Sequence, residues 1–153
     1  MKYWLIKSEP EVFSINDFAK SKNQTTYWDG VRNYQARNFI RDEMKLGDKV
    51  LFYHSNTEPT AVAGICEVAK EAYPDFTAFD VGNEHFDPKS KKDSPSWFMV
   101  DIKFIKKFGR EVTLADIKAN KKLQKMRLVQ PGNRLSVMPV TKEEFEEIVK
   151  MGG

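Results

Sequence analysis

Cysteine is almost missing from this chain. Among 153 residues there is one, Cys66, so no internal disulfide is possible and a reducing compartment fits. Histidine is nearly as scarce. His54 and His85 are far apart in sequence and form no H-x-x-x-H pair, which argues against a metal site. The N-terminal apolar run, Tyr3 to Ile6, stops at Lys7-Ser8-Glu9 and is too short for a signal peptide or a membrane span. A soluble cytoplasmic protein without membrane association is expected. The phosphate loop G-x-x-x-x-G-K-[ST], the dinucleotide fingerprint and the G-x-S-x-G elbow are all missing. A Ser-His-acid triad built in space from Ser55 or Ser136 has no local support. Repeats, low-complexity segments and interdomain linkers are absent.

What remains is the composition of one globular domain. The chain is 41% apolar, 12% aromatic and 31% charged, enough for a core and a charged coat and unlike a disordered chain. A net charge of +3 permits nucleic-acid binding without establishing it. Several strands mix with short helices and no regular βαβ alternation, which predicts an α+β domain with a small curled sheet over residues 1–153.

One stretch has no obvious structural purpose: Trp28-Asp29-Gly30-Val31-Arg32-Asn33-Tyr34-Gln35-Ala36-Arg37-Asn38. Its aromatics offer flat apolar faces, and its amides and guanidiniums offer donors and acceptors that match a nucleobase edge or a phosphate. Gly30 permits a turn or a close approach. A buried helix or strand needs no such mixture, so this segment is read as the rim and floor of a binding site.

In chain order, Lys2 to Ile6 is expected as a buried strand broken by Lys7-Ser8-Glu9-Pro10-Glu11, which either faces a pocket or is a solvated turn. Ser14 with Asp17 caps a short helix whose inner side is Ile15 and Phe18. Ser21 to Thr26 reads as a polar loop. A helix over Tyr34 to Met44 buries Ala36, Phe39, Ile40 and Met44. Arg37, Arg41 and Lys45 on its flank read as a solvated face or a phosphate track. Lys49 to Tyr53 is apolar on both faces, hence central, and ends in His54-Ser55-Asn56. Ala61 to Ala69 is a strand with a tight or bulged point at Gly64, and Cys66 is a small buried hydrophobe. Tyr73 to Asp93 is a long irregular region, a lid or a surface loop. Trp97 to Ile105 alternates as a strand. Thr113 with Asp116 caps a helix, and Lys118, Lys121, Lys122 and Lys125 then fall on one side at helical spacing, with Arg127 beyond. Arg134 to Val140 is a last strand, and Thr141 with Glu144 opens a final helix buried through Phe145, Ile148 and Val149.

Four motifs together resemble the EVE domain family: Tyr3-Trp4-Leu5-Ile6-Lys7-Ser8-Glu9-Pro10, the central Trp28 to Asn38 stretch, Phe52-Tyr53-His54-Ser55, and Arg134-Leu135-Ser136-Val137-Met138-Pro139-Val140. They span nearly the whole chain in the family's order, as in a stand-alone EVE domain. The resemblance implies a PUA-like fold, a curled pseudo-barrel sheet flanked by short helices and shared with the YTH and ASCH domains. It implies a non-enzymatic reader of modified bases in DNA or RNA, without a cofactor. The implied base pocket comprises Lys7, Ser8, Glu9, Trp28, Asp29, Gly30, Val31, Arg32, Asn33, Tyr53, His54, Ser55, Leu135 and Ser136. Trp97 joins it as an aromatic before the long strand, or packs in the core.

In such a pocket a flipped base would stack on Trp28 or Trp97. Its polar edge would meet Asn33, Ser55 or backbone groups. A methyl or hydroxymethyl group would fill a corner made by Val31, Leu135 or Tyr53. Arg32, Arg37 and Arg41, with Lys118, Lys121, Lys122, Lys125 and Arg127, would hold phosphates. Two other classes stay open: an enzyme acting on a modified nucleobase or nucleotide with Glu9 or His54 as acid/base, and an interaction module whose aromatic stretch docks a peptide.

Overall fold

The computed structural model describes all residues, Met1–Gly153. Six strands form one mixed sheet in the order β2-β5-β4-β3-β1-β6: β1 (Tyr3–Ser8), β2 (Thr25–Tyr27), β3 (Lys49–His54), β4 (Ala61–Pro74), β5 (Phe98–Thr113) and β6 (Val137–Val140). Only β1 and β3 pair in parallel, with Leu5 opposite Leu51 and Ser8 opposite His54. Four short helices flank the sheet: α1 (Ile15–Lys20), α2 (Tyr34–Asn38), α3 (Leu114–Ala119) and α4 (Lys142–Gly152). The expected α+β class with a curled sheet is the observed one.

Burial follows the apolar pattern. Trp4, Leu5 and Ile6 on β1 and Val50 to Tyr53 on β3 are buried, as two-faced apolar runs demand at the centre of a sheet. The capping boxes expected at Ser14/Asp17, Thr113/Asp116 and Thr141/Glu144 are all formed. Cys66 is fully buried, and burial raises its thiol pKa far above the ordinary range.

Four boundaries differ from the sequence reading. β1 continues through Lys7 and Ser8, because Lys7 N–H donates to the Ser136 carbonyl at 2.9 Å and so keeps that end paired. The polar segment after α1 ends in an edge strand, β2, which pairs with Asp101, Ile102 and Lys103 of β5. The helix from Tyr34 tightens to five residues and then passes through a π-helical turn, Phe39–Glu43. Finally, β4 and β5 run to Pro74 and Thr113, beyond their clean alternation. Register shifts along the β4–β5 ladder break the period of two. At one of them Gly64 lies against the Lys106 carbonyl, where a side chain would collide with backbone.

Candidate nucleic-acid interface

Where β1 ends beside the strand β2 and the turn after it, the surface opens into a cavity of about 580 Å³. The end of β1 supplies Lys7, Ser8 and Glu9, and the following turn supplies Val12 and Phe13. Thr26, Tyr27, Trp28 and Asp29 form the opposite wall, and Glu84 and His85 reach in from the long β4–β5 connection. The volume lies within the roughly 300–1,000 Å³ typical of small-molecule sites.

Trp28 is the main aromatic wall. Its ring lies 6.2 Å from Phe13 and 5.8 Å, edge-on, from Phe52, and its backbone N–H donates to the Val100 carbonyl at 2.8 Å. The ring is therefore held from behind. The indoles of Trp4 and Trp97 donate to Asp48 and Asp87 at 3.0 and 2.6 Å, whereas the Trp28 indole N–H has no acceptor in the chain.

The polar groups around the cavity are partly committed. The Ser8 hydroxyl donates to the Phe13 carbonyl at 2.6 Å, and Glu9 accepts from the Asn56 amide at 2.8 Å. Lys7 forms no ion pair, and burial lowers its ammonium pKa. Asp29 lies 3.3 Å from His85 Nδ1. The lining thus holds three carboxylates, on Glu9, Asp29 and Glu84, against one lysine.

Gly30 positions the wall rather than lining it. Its φ of +79° makes the turn after Trp28, and a Cβ there would lie 2.5 Å from the His85 ring. The Gly30 N–H donates to Asp75 at 2.9 Å, and the buried Asp75 also accepts from Arg32 at 3.0 Å and from Thr77. Burial alone would raise the Asp75 pKa, but the hydrogen bonds from Thr77, Gly30 and Arg32 hold it below the ordinary range. This network ties the Trp28 turn to the loop that carries His85.

Residues 2–151 match the model of the EVE domain. This chain belongs to the EVE domain family. Human thymocyte nuclear protein 1 is 44% identical over 165 residues, covering 97% of this chain and 73% of the relative. The crystal structure of human THYN1 protein in complex with 5-methylcytosine containing DNA superposes with a TM-score of 0.93 at 44% identity, over 99% of this chain and 98% of that one. A hypothetical protein from Leishmania major gives 0.93 at 52% identity, over 99% and 94% of the two chains. The fold is the PUA-like one of these EVE neighbours.

Of the expected base-pocket residues, this EVE domain brings Lys7, Ser8, Glu9, Trp28 and Asp29 together. The others lie elsewhere, for identifiable reasons. Val31 and Tyr53, at 5% and 3% exposure, are core residues. His54 is buried too: its Nε2 accepts the Ile15 N–H at 3.1 Å, and Nδ1 faces Glu111 at 3.7 Å. It supports α1 and does not line the cavity, so the acid/base role considered for it has no geometric basis. Ser55 joins the strand ends through its N–H to the Ser8 carbonyl, and Ser136 accepts from Lys7 N–H. Asn33 and Leu135 line a different groove. Trp97, at 5% exposure, stacks on Tyr34 at 4.8 Å.

Two expected phosphate ligands are likewise committed internally. Arg32 is spent on Asp75, and its Nη2 donates to the His85 carbonyl at 2.7 Å. Arg37 donates to the Ser96 carbonyl at 2.6 Å and stacks on Tyr34. Arg41 is exposed but pairs with neighbouring Asp42 at 2.8 Å. Lys118, Lys121, Lys122 and Lys125 are exposed, yet they share no helical face. α3 stops at Ala119, and Asn120, extended, caps a separate 3₁₀ turn.

The cavity also uses residues outside the expected pocket. Tyr27 adjoins Trp28, so its proximity in sequence was a usable signal. Glu84 and His85 come from the irregular connection, and only the folded loop seats His85 against Gly30.

Proposed function

We propose that this EVE domain is a non-enzymatic nucleic-acid-binding reader that takes a flipped, modified cytosine into the Trp28 cavity. The observation that carries this is the Trp28 indole itself: it walls an open cavity and its N–H lacks a partner. The structural relative bound to 5-methylcytosine-containing DNA supports the ligand class.

The lining chemistry suits cytosine. Carboxylates accept from the cytosine 4-amino group, and Glu9, Asp29 and Glu84 supply three. Lys7 is a donor for the base's ring nitrogen or carbonyl. Stacking on Trp28 contributes roughly 1–3 kcal/mol. A buried methyl adds about 0.8 kcal/mol, a several-fold preference. Lys118, Lys121, Lys122, Lys125 and Arg127 supply sequence-independent attraction to phosphates.

The test is a titration of the protein and its Trp28→Ala variant with duplexes carrying cytosine, 5-methylcytosine or 5-hydroxymethylcytosine at one position. The reading predicts tighter binding to a modified duplex and loss of that preference in the variant, with the fold retained by circular dichroism. Equal affinity of both proteins for every duplex would refute it.

A further inference from the structure

A second groove, of about 390 Å³, opens beside the first helical turn of α2. Its polar lining is Asn33, Gln35, Arg127, Gln130, Asn133 and Arg134, and Leu135 is its one hydrophobic residue. No carboxylate lines it. Both arginines are exposed and neither belongs to an ion pair, unlike Arg32 and Arg41, which the chain neutralises itself. Arg127 is nonetheless oriented: its guanidinium lies 5.5 Å from the centre of the Phe39 ring.

The amides sharpen the picture. Asn33 uses its side-chain oxygen to cap α2 through Ala36 N–H at 3.0 Å, which leaves its NH₂ group free. The Gln130 NH₂ is held by the Gln124 and Met126 carbonyls, and Asn133 is held at both ends, through Arg127 O and Leu135 N–H. The groove is thus a rigid frame with two cationic forks and a free amide donor, a set that matches the bidentate recognition of a phosphate.

The groove adjoins the base cavity. The segment from Asp29 to Asn33 runs from one to the other, and four residues reach at most about 14 Å. Lys7 of the cavity is paired to Ser136, next to Leu135 of the groove. At about 3.4 Å of rise per nucleotide, the groove lies within roughly four nucleotides of the base site.

We propose that this groove binds a phosphodiester of the same nucleic-acid strand, held by Arg127 and Arg134 with the Asn33 amide. It would set the register of the strand relative to the Trp28 cavity. The proposal rests on the reader function above and adds a separate site to it.

The experiment measures duplex affinity against salt for the intact protein, Arg134→Gln, the Arg127→Gln/Arg134→Gln double variant and Trp28→Ala, on modified and unmodified duplexes. The double variant is expected to lose roughly ten- to hundred-fold in affinity and to flatten the slope of log affinity against log salt by about two, with Arg134→Gln alone giving about one. Its preference for the modified base should stay. Trp28→Ala should do the opposite, losing preference and keeping slope; if it changes neither while the double variant flattens the slope, the base pocket fails and the groove stands. Arg134 is exposed and its side chain forms no hydrogen bond or ion pair within the chain, so its variant reports even if loss of Arg127 lowers the melting temperature. Unchanged affinity and slope in the folded double variant overturn the groove, as does an intact protein that binds no nucleic acid. A groove that takes free phosphate instead would bind inorganic phosphate while leaving the slope unchanged, and that result also overturns the assignment.

Discussion

Trp28 and Trp97 look alike in sequence, each an aromatic beside polar residues at a strand end, but their surroundings are opposite. Trp97 is enclosed by the chain: Tyr34 stacks on it at 24°, Arg32 lies 5.3 Å from the ring centre, and Asp87 takes its N–H. Trp28 has aromatic support on its inner side only, an unpartnered N–H, and a cavity in front. The Trp97 cluster is what a filled aromatic cage looks like, with stack, cation and carboxylate all internal. The Trp28 site has aromatic support on one side, with carboxylates and a lysine around the open cavity on the other, and that difference is why the proposed reading assigns binding to Trp28 and packing to Trp97.

The strongest way to break the comparison is at Asp75, which joins the two regions. Asp75→Ala leaves Arg32 largely buried without its anion and should cost about 3 kcal/mol in chemical denaturation. It should also weaken ligand binding by loosening the Gly30 turn. Next, Trp28→Ala should cost roughly 1–3 kcal/mol of binding to a modified duplex, whereas Trp97→Phe should leave that binding unchanged. Trp97→Phe should instead lower stability by about 1 kcal/mol through the lost bond to Asp87. Gly30→Ala should cost roughly 1–2 kcal/mol of stability, because it forces a side chain into positive φ and onto the His85 ring.

The smallest effect concerns pH. Burial holds the His54 pKa below its ordinary 6.5, partly opposed by Glu111. The folded chain therefore binds that proton less readily than the unfolded chain. Stability is fully present above pH 6.5 and falls as pH drops through the lowered value, because protonation of Nε2 breaks the bond from Ile15 N–H. The melting temperature should decline below pH 6.5, and His54→Gln should remove that slope. Asp75 acts in a separate window: its pKa lies below 3.8, so its contribution is lost only in stronger acid.

Much of this was legible in the residues. Two-faced apolar runs identified the central strands, and Ser, Thr and acidic residues three apart marked the three capping boxes. Trp28 with Lys7, Ser8 and Glu9 followed from the family motifs. The edge strand Thr25–Tyr27 was illegible because its pairing partner lies in β5, and the length of β5 was hidden by register shifts. Arg32 and Arg37 read as phosphate ligands because sequence displays a guanidinium but not the buried carboxylate or carbonyl it will meet. His85 was invisible for the same reason, since its seat on Gly30 depends on a loop returning across the fold.

The most direct measurement is the indole N–H region of a nitrogen–proton correlation spectrum, with Trp28 assigned by Trp28→Phe, during titration with a 5-methylcytosine duplex. The account predicts one resonance, that of Trp28, shifting saturably while those of Trp4 and Trp97 stay in place. A Trp28 resonance that holds still as the duplex binds would contradict it.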